Sequence, residues 1–240
     1  MRGKLVLCYE LALDQLDASI DFFKNTLKPN ELVCLKPSEL ESFSDEPDSL
    51  YTFHLDLKKE LETHSYISAW AKKKQIKELN PFYYQANIFD DKYLFAKFCI
   101  VSGIGHPKTK LINSIKEIED ESGVIKPRFG TENKDNASYS PELLEKILSY
   151  DDALFQEEIK TVVEYKVLFL IDKFYFDKSI PGSLEKELLI FKEKLDHYLS
   201  QKKLSKVEIF SIDILEDQNG HYYFLELNLR PGALYRFQYK

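Results

Sequence analysis

The sequence is poor in the residues that make flexible loops and covalent cross-links. Its 240 residues include 8 glycines, 3 cysteines, 1 methionine and 1 tryptophan. So few glycines argue against long flexible loops. The cysteines, Cys8, Cys34 and Cys99, are odd in number and widely spaced, so they predict neither a disulfide framework nor a zinc site.

Long apolar runs are also missing from the sequence. The apolar stretch near the N-terminus is interrupted at Glu10, and no run elsewhere reaches the length of a membrane span. We therefore expect no signal peptide, no membrane partner and a cytoplasmic location.

A strongly basic surface is the third missing feature. The formal net charge is -7, whereas neutralising nucleic-acid phosphates requires a basic face. The lysine run at 72–74, with Lys77, is the strongest basic patch, and a solvated helix face accounts for it. We therefore expect no nucleic-acid partner.

The composition that remains is that of a soluble globular protein, with 44% apolar and 30% charged residues. The length suits one large domain or two small ones with a sizeable core. Arginine is rare, since only Arg2, Arg128, Arg230 and Arg236 occur among the 33 basic residues. Because the planar arginine fork grips carboxylates and phosphates in a way that lysine cannot, Arg230 is a candidate functional residue.

The spacing of apolar residues predicts a mixed α/β chain. In the first third we predict strands at 4–9, 31–35 and 51–57, helices at 15–26 (capped by Asp14) and 65–78, and a loop at 38–49. Further on we predict helices at 91–102, at 111–119, from Ser140-Pro141 and from 181 to about 200, strands at 123–127, 154–159, 164–171, 206–214 and 221–227, and a polar loop at 128–140. The first strand, helix and strand form a βαβ unit, and the best domain boundary lies near residue 90.

The last two predicted strands form a hairpin that carries the most informative polar residues. The turn at 216–220 contains Asn-Gly, a strong hairpin signal, and brings Asp213 near Glu226. Strand alternation places Glu226 and Asn228 on one face, with Leu225, Leu227 and Leu229 on the other. Two carboxylates and an amide oxygen suit a hard cation such as magnesium, which keeps other positions for water and phosphates.

An ordinary amphipathic hairpin with its polar face in solvent is the alternative. Asp213 argues against it, because this residue lies between Ile212 and Ile214 in a strongly apolar strand. The hairpin alone leaves both interpretations open.

This hairpin resembles the metal-binding end of the ATP-grasp superfamily, which carries an Asp, a short turn, Glu-x-Asn and commonly Pro-Gly. The same order occurs here as Asp213, Asn219-Gly220, the segment 226–228 and Pro231-Gly232. Three upstream segments follow the family's order, and together the matches cover about residues 80–232.

The first two upstream segments resemble the parts that hold the phosphates of ATP. Asp91-Lys92, followed by Gly103-Ile104 and the segment 107–109, resembles the family's Asp-Lys helix start with its Gly-Ile turn and Pro-x-Thr. Lys126 and Gly130 resemble the second ATP lysine and the phosphate-covering loop. That loop departs from the pattern, since residues 128–139 hold a single glycine, and Arg128 is the residue that compensates.

The third upstream segment, residues 154–167, resembles the adenosine-binding strand and its continuation. By this resemblance Glu157 lies near the adenine amino group, and the main chain of Glu158 and Ile159 pairs with the adenine edge. Glu164 holds the ribose hydroxyls, a role that suits a carboxylate because it accepts two hydrogen bonds.

The resemblance implies an α/β (α+β) chain with the ATP-grasp fold, in which two β-rich lobes clasp ATP after a short βαβ pre-domain. Residues 1–90 form the small N-terminal domain, and residues 91–240 form the ATP-grasp domain with lobes 91–160 and 161–240. The implied activity is a ligase that joins a carboxylate to an amine through an acyl phosphate and releases ADP and phosphate.

In that activity the residues divide into three groups. Asp213, Glu226 and Asn228 hold Mg²⁺, with Mn²⁺ as the alternative ion. Lys92 and Lys126, with Arg128, stabilise the phosphates. Arg230, together with Lys126, is expected to act in catalysis, with Arg230 stabilising the oxyanion.

One departure from the family concerns the reaction intermediate. Some family members place an arginine two residues before the metal-binding Asp, where Ser211 stands in this chain. Arg230 or Lys166 is the expected substitute.

The partners are expected to be small-molecule or peptide substrates, with a homodimer left open. Two alternatives to a ligase stay open as well, an ATP-grasp-type small-molecule kinase and a non-catalytic nucleotide-binding protein.

Overall fold

The computed structural model describes residues 3–9, 13–53, 60–81, 88–89, 91–118, 122–128 and 153–229. Within these ranges the α-helices are α1 (Leu13–Leu27), α2 (Glu60–Lys73), α3 (Lys92–Ser102) and α4 (Gly182–Gln201), with 3-10 helices at Pro37–Ser42 and Ile115–Ile118. The strands are β1 (Lys4–Tyr9), β2 (Glu31–Leu35), β3 (Ser49–Phe53), β4 (Lys77–Glu78), β5 (Thr109–Ile112), β6 (Gly123–Pro127), β7 (Ala153–Glu157), β8 (Thr161–Leu170), β9 (Lys173–Phe176), β10 (Ile209–Asp217) and β11 (Tyr222–Asn228).

The N-terminal sheet is parallel, with strand order β2-β1-β3-β4. Its central strand β1 is a short apolar run in which residues 5–8 are all fully buried. Burial of both faces is typical of a parallel sheet covered on either side, and it explains why this strand does not alternate in polarity.

The other two sheets are antiparallel. The middle sheet has the order β5-β7-β6, and the C-terminal sheet has the order β11-β10-β8-β9. The helix α4 packs its apolar stripe, which includes Leu188, Phe191 and Leu195, on the C-terminal sheet. The ring of Phe191 stacks on Phe224 of β11 at a centroid distance of 5.1 Å.

The helix α3 joins the core of the C-terminal sheet. Phe95 and Phe98 of this helix lie in one buried cluster with Phe191 of α4. Asp91 caps the helix, because its carboxylate accepts hydrogen bonds from the Tyr93 and Leu94 amides, both at 3.0 Å. The helix ends at Gly103, whose left-handed φ of 65° favours glycine.

The chain leaves α3 and passes close to the last strand. The carbonyl of Gly105 accepts a hydrogen bond of 2.9 Å from the Phe224 amide. A Cβ atom on Gly105 would lie 2.1 Å from the Tyr222 carbonyl oxygen, so only glycine fits this approach.

The N-terminal sheet shares a core with the C-terminal sheet. Leu5 and Leu7 of β1 lie in one buried cluster with Leu168, Leu170 and Ile209. The N-terminal sheet therefore packs directly against β8 and against β10, the strand that carries Asp213.

Several predicted elements differ from the structure. The helix predicted at 111–119 is wrong, because β5 pairs with β7 there and a short 3-10 helix follows. The helix predicted at 65–78 ends at Lys73, and its last residues form β4 beside β3. The α1 helix begins at Leu13, so Asp14 lies inside the helix and is not its cap.

The predictions also missed two elements. The segment predicted as a loop at 38–49 contains the 3-10 helix Pro37–Ser42, and β9 was not predicted at all. β8 turns into β9 through Ile171, whose φ of 59° is rare for a β-branched residue, so the composition gave no turn signal. The helix predicted from Ser140 and the loop at Gly130 lie outside the described residues.

Among the described helices, none combines the length and apolar character needed to cross a membrane.

Candidate functional site

The hairpin β10–β11 brings the predicted metal ligands together. Asp213 lies directly opposite Glu226 in the antiparallel register. Side chains of directly paired residues stand on the same face about 5 Å apart at Cβ. Asn228 lies two residues further along β11 and donates a 3.3 Å hydrogen bond from its side-chain amide to Glu226 Oε1.

A β-bulge follows this pair and corrects one prediction. Asp213 pairs with Glu226, but the next pair is Ile214 with Phe224, so Leu225 is the extra residue. Phe224 is 1% exposed and continues the buried face with Leu227, whereas Leu225 is only half-buried. The predicted alternation, which placed Leu225 on the core face, is wrong because a bulge shifts the strand by one residue.

Asp213 has a largely buried carboxylate, with a side-chain exposure of 20%, that pairs with a lysine. Its Oδ2 atom accepts a 3.1 Å hydrogen bond from Lys166 Nζ on the neighbouring strand β8. Burial raises the pKa of Asp213 to about 6; Lys166 opposes this shift and the charge of Glu226 adds to it. The negative charge at this position is therefore only partly compensated by the protein.

The donor set fits a hard divalent cation. Among the described residues, no cluster of three or more His, Cys, Asp or Glu side chains is placed to hold a metal. An ion here would therefore bind the two paired carboxylates and the Asn228 amide oxygen, with water or a phosphate completing its shell. That arrangement suits magnesium, which is usually bound by one or two carboxylates plus waters and phosphates.

Lys126 lies on β6 of the middle sheet, and the charges of the hairpin carboxylates act on its ammonium. Its side chain is 7% exposed and donates a 2.6 Å hydrogen bond from Nζ to Gln156 Oε1 on β7. Burial lowers the pKa of Lys126 to about 8; the charges of Glu226 and Asp213 oppose this shift, and Lys92 adds to it. The two carboxylates of the hairpin and the second predicted ATP lysine, Lys92, therefore all act on the Lys126 ammonium.

Arg128 has a structural role that the sequence did not predict. Its Nε and Nη2 atoms donate to the two carboxylate oxygens of Asp91 at 2.9 and 2.7 Å. The Arg128 carbonyl also accepts a 3.2 Å hydrogen bond from the Lys92 amide. This bidentate pair fixes the start of α3 against β6, and so it positions Lys92 relative to Lys126.

The predicted adenine-binding residues lie on and just after β7. The Glu157 carboxylate accepts a 2.9 Å hydrogen bond from the Lys108 amide, and the amide of Glu158 donates to the Ser122 carbonyl at 3.1 Å. Main-chain pairing with adenine would therefore use the Glu158 carbonyl and the Ile159 amide. That pairing stays a prediction.

Glu164 and Lys166 extend the site along β8. Lys166 Nζ lies 3.3 Å from Glu164 Oε1 and also pairs with Asp213, so it bridges the predicted ribose and metal residues. Burial alone would lower the pKa of Lys166, but the two carboxylates raise it above its ordinary value. Glu164 itself is about half exposed, with a side-chain exposure of 52%. Arg230 lies outside the described residues.

Two polar residues near the site, Gln156 and His106, were not predicted. Gln156 holds Lys126, and its signal was a polar residue in the apolar strand β7. His106 contacts the Phe95 ring, and burial lowers its pKa to about 4, with Lys126 and Glu157 among the charges that act on it. Asp91 was predicted as a helix start, but its pairing with Arg128 joins distant segments and was not.

Comparison with known proteins gives fold relatives only. No protein-family model and no curated protein matches the sequence. Among solved structures, a D-cycloserine synthetase superposes with a TM-score of 0.68 at 13% identity, over 99% of this chain and 95% of that enzyme. A Chryseobacterium gregarium RiPP-associated ATP-grasp ligase, solved with ADP and a leader and core peptide, gives 0.67 at 16% identity, over 97% and 91%.

A third similar structure is the N5-carboxyaminoimidazole synthetase of Staphylococcus aureus, with a TM-score of 0.62 at 12% identity. The alignment covers 95% of this chain and 70% of that enzyme. The chain therefore has the mixed α/β ATP-grasp fold that its motifs predicted.

Proposed function

We propose that the protein is an ATP- and magnesium-dependent ligase that joins a carboxylate to an amine. The observation that carries the proposal is the pair of carboxylates Asp213 and Glu226 on neighbouring strands, with Asn228 beside them. The charges of both carboxylates act on the buried Lys126 of the middle sheet, so this region holds charges of both signs. Such a region suits a ligand that itself carries both signs. A nucleotide triphosphate with its metal ion is such a ligand.

In this proposal the lysines bind the phosphates of ATP. Within the part of the chain that the structure describes, Lys126 Nζ donates to the neutral Gln156 side chain and to no carboxylate, so its ammonium is available to an anionic ligand. Lys92 approaches from the first turn of α3, where the helix N-terminus adds further positive potential. The Asp91–Arg128 pair fixes the start of α3, which carries Lys92, next to the end of β6, which carries Lys126.

Asp213, Glu226 and Asn228 are the residues that would hold the metal. Bound magnesium would neutralise phosphate charge as the γ-phosphoryl group is transferred. Lys166 donates a 3.1 Å hydrogen bond to Asp213 and would lie beside a reacting group held next to that carboxylate. With Arg230, it is our candidate for the cation that stabilises the reaction intermediate, in place of the arginine absent at Ser211.

The proposed reaction has two steps. A carboxylate oxygen of the first substrate attacks the γ-phosphorus, and the bond to the ADP oxygen breaks, which gives an acyl phosphate. The amine nitrogen of the second substrate then attacks the acyl carbon, the C–O bond to phosphate breaks, and the nitrogen releases its proton to solvent. The products are an amide, ADP and phosphate, and no covalent enzyme nucleophile is required.

Peptides are the substrate class that the structural relatives favour. One similar structure is a macrocyclase bound to its precursor peptide, and others are ATP-grasp ligases in complex with precursor peptides. A peptide carboxylate or amine is therefore our first candidate, and a small-molecule carboxylate and amine are the second. The two-lobe division at residues 90 and 160, the homodimer, the cytoplasmic location and the use of Mn²⁺ stay predictions.

The decisive experiment measures ADP release from Mg²⁺-ATP with carboxylate-plus-amine pairs and, separately, with alcohols. Turnover that needs both a carboxylate and an amine supports the ligase. Turnover with an alcohol alone identifies a kinase, and ATP binding without turnover across the panel favours a nucleotide-binding protein. The exposed variant Glu187→Gln, on the outer face of α4, controls for the loss of a carboxylate elsewhere.

A further inference from the structure

Two residues of the N-terminal region contact the metal hairpin directly. Asn80 is 1% exposed, and its side-chain amide donates to the Leu229 carbonyl at 3.1 Å. Leu229 directly follows the proposed ligand Asn228. This contact joins residues that lie 149 positions apart in the chain.

Asn80 is itself firmly held in its own sheet. Its Oδ1 atom accepts a 3.0 Å hydrogen bond from the Thr52 amide, and its Nδ2 donates to the Thr52 carbonyl at 2.8 Å. Its main-chain carbonyl accepts a 3.0 Å hydrogen bond from the buried His64 ring. The side chain thus pairs with the β3 residue Thr52 as a strand neighbour would, while its second amide hydrogen reaches Leu229, the residue that follows β11.

The preceding residue holds the other strand of the hairpin. The Leu79 carbonyl accepts hydrogen bonds from the Glu208 and Ile209 amides, at 2.8 and 3.1 Å. Ile209 begins β10, the strand that carries Asp213. Leu79 in turn donates its amide to the Leu50 carbonyl at 2.9 Å, so it is anchored in the N-terminal sheet.

Both contacts lie at the same end of the hairpin. The turn at Asp217–Gly220 closes one end, where the Gly220 amide donates to the Asp217 carbonyl at 3.0 Å. The other end, where β10 starts and β11 stops, is open, and Ser211 opposite Asn228 is its outermost pair. Leu79 and Asn80 bridge this open end, next to the residues that hold the metal in the proposed function.

We propose that Asn80 is a positioning residue that sets the spacing of the metal ligands on β10 and β11. The inference rests on the proposed function, because it assigns the N-terminal domain a role in that same site. Without the Asn80 amide, the buried Leu229 carbonyl loses its partner and the end of β11 is no longer tied to β10 through the N-terminal sheet. Groups that orient metal ligands in this way typically contribute 10- to 100-fold to metal affinity.

The test compares Asn80→Asp with a control of similar stability cost. The variant keeps the shape of the side chain and the oxygen that accepts from the Thr52 amide. It replaces the amide nitrogen with oxygen, so both N–H donors are lost. The control is Ile67→Ala, a fully buried change in α2 whose cluster holds no hairpin residue. Binding of a non-hydrolysable ATP analogue is measured by calorimetry over a series of Mg²⁺ concentrations, and amide hydrogen exchange is measured in β11.

The half-saturating Mg²⁺ concentration should rise about 10-fold in Asn80→Asp and stay within twofold in Ile67→Ala. Exchange in β11 should be faster in Asn80→Asp than in the control at equal thermal stability. If Asn80→Asp does not fold, Asn80→Ser gives the same comparison without added charge.

Equal Mg²⁺ dependence and equal β11 exchange in the two variants would overturn the positioning role. Failure of the proposed function looks different, because the wild-type protein would then show no Mg²⁺-dependent binding of the analogue. The positioning role alone is contradicted if the wild type binds the analogue in a magnesium-dependent way and the Asn80 variant binds it equally well.

Discussion

Lys126 and Asp213 are both buried charged side chains, but burial moves their pKa values in opposite directions. The ammonium of Lys126 has its pKa lowered to about 8, and the carboxyl of Asp213 has its pKa raised to about 6. Among the described residues, the middle sheet thus holds a cation with no hydrogen-bonded carboxylate, and the C-terminal hairpin holds two paired carboxylates, of which Asp213 contacts Lys166. In the proposed function, phosphate would balance the first charge and a metal ion the second.

The two sides also differ in how they are supported. Lys126 is fixed by one neutral hydrogen bond to Gln156, whereas Asp213 already pairs with Lys166. Removing a charge should therefore affect folding and ligand binding differently on the two sides.

The largest expected effect is on the anionic side. Asp213→Asn removes one charge from the metal pair, so Mg²⁺-ATP turnover should fall by at least about 100-fold. Steady-state ADP release measures this, with Glu187→Gln as the exposed control. Turnover that stays within threefold of wild type would show that Asp213 does not hold the metal.

On the cationic side, Lys126→Met should affect the stability of the protein and its ATP affinity differently. The substitution removes a buried ammonium, so the free energy of unfolding should not fall, while ATP affinity should drop about 10-fold or more. Calorimetry measures the ATP affinity, and chemical unfolding at the same pH measures the free energy of unfolding. A protein that is strongly destabilised by Lys126→Met would contradict the picture of an uncompensated cation.

The lowered pKa of Lys126 also predicts that the stability of the protein depends on pH. Because the folded pKa of Lys126 is about 8 and the unfolded value is 10.5, the unfolded chain binds more protons between these values. Stability from this group therefore rises with pH across that window, by up to about 3 kcal/mol. The difference between wild type and Lys126→Met, measured by unfolding from pH 7 to 10.5, isolates the contribution, and a flat difference would refute it.

A smaller effect is expected at the support of Lys92. Arg128→Lys keeps the charge but loses the bidentate bond to Asp91, which should cost about 1.5–3 kcal/mol of stability. ATP affinity should fall only a few-fold, because the phosphate lysines remain. If Arg128 instead binds phosphate, as the sequence suggested, affinity will fall far more than stability.

The smallest effect is expected at the exposed end of β8. Glu164→Gln weakens one proposed contact to the ribose hydroxyls, so the preference for ATP over 2′-deoxy-ATP should shrink by about 3- to 10-fold. Competitive binding of the two nucleotides measures this. An unchanged preference would place the ribose elsewhere.

Local patterns predicted the hairpin β10–β11 well because its signals lie within 20 residues; its role in metal binding stays a prediction. The Asn-Gly turn and the apolar strand interrupted by Asp213 were sufficient to pair Asp213 with Glu226. The bulge at Leu225 was not predictable, since it depends on Phe224 filling the core against Phe191.

Long-range pairings were beyond the sequence alone. The ion pair of Arg128 with Asp91 and the hydrogen bond from Asn80 to Leu229 are two examples, and the predicted phosphate contact of Arg128 stays a prediction. Both contacts join segments that no periodicity connects. β9 was missed for a related reason, because its turn uses Ile171 rather than glycine or asparagine.

In the proposed function, Asp213 and Glu226 hold a metal ion that brings ATP to Lys126. The direct measurement is calorimetric ATP binding, with and without Mg²⁺, for wild type and Glu226→Ala. We predict that Mg²⁺ strengthens ATP binding to the wild type and that Glu226→Ala abolishes this gain. Magnesium-dependent binding that survives Glu226→Ala unaltered would contradict the assignment.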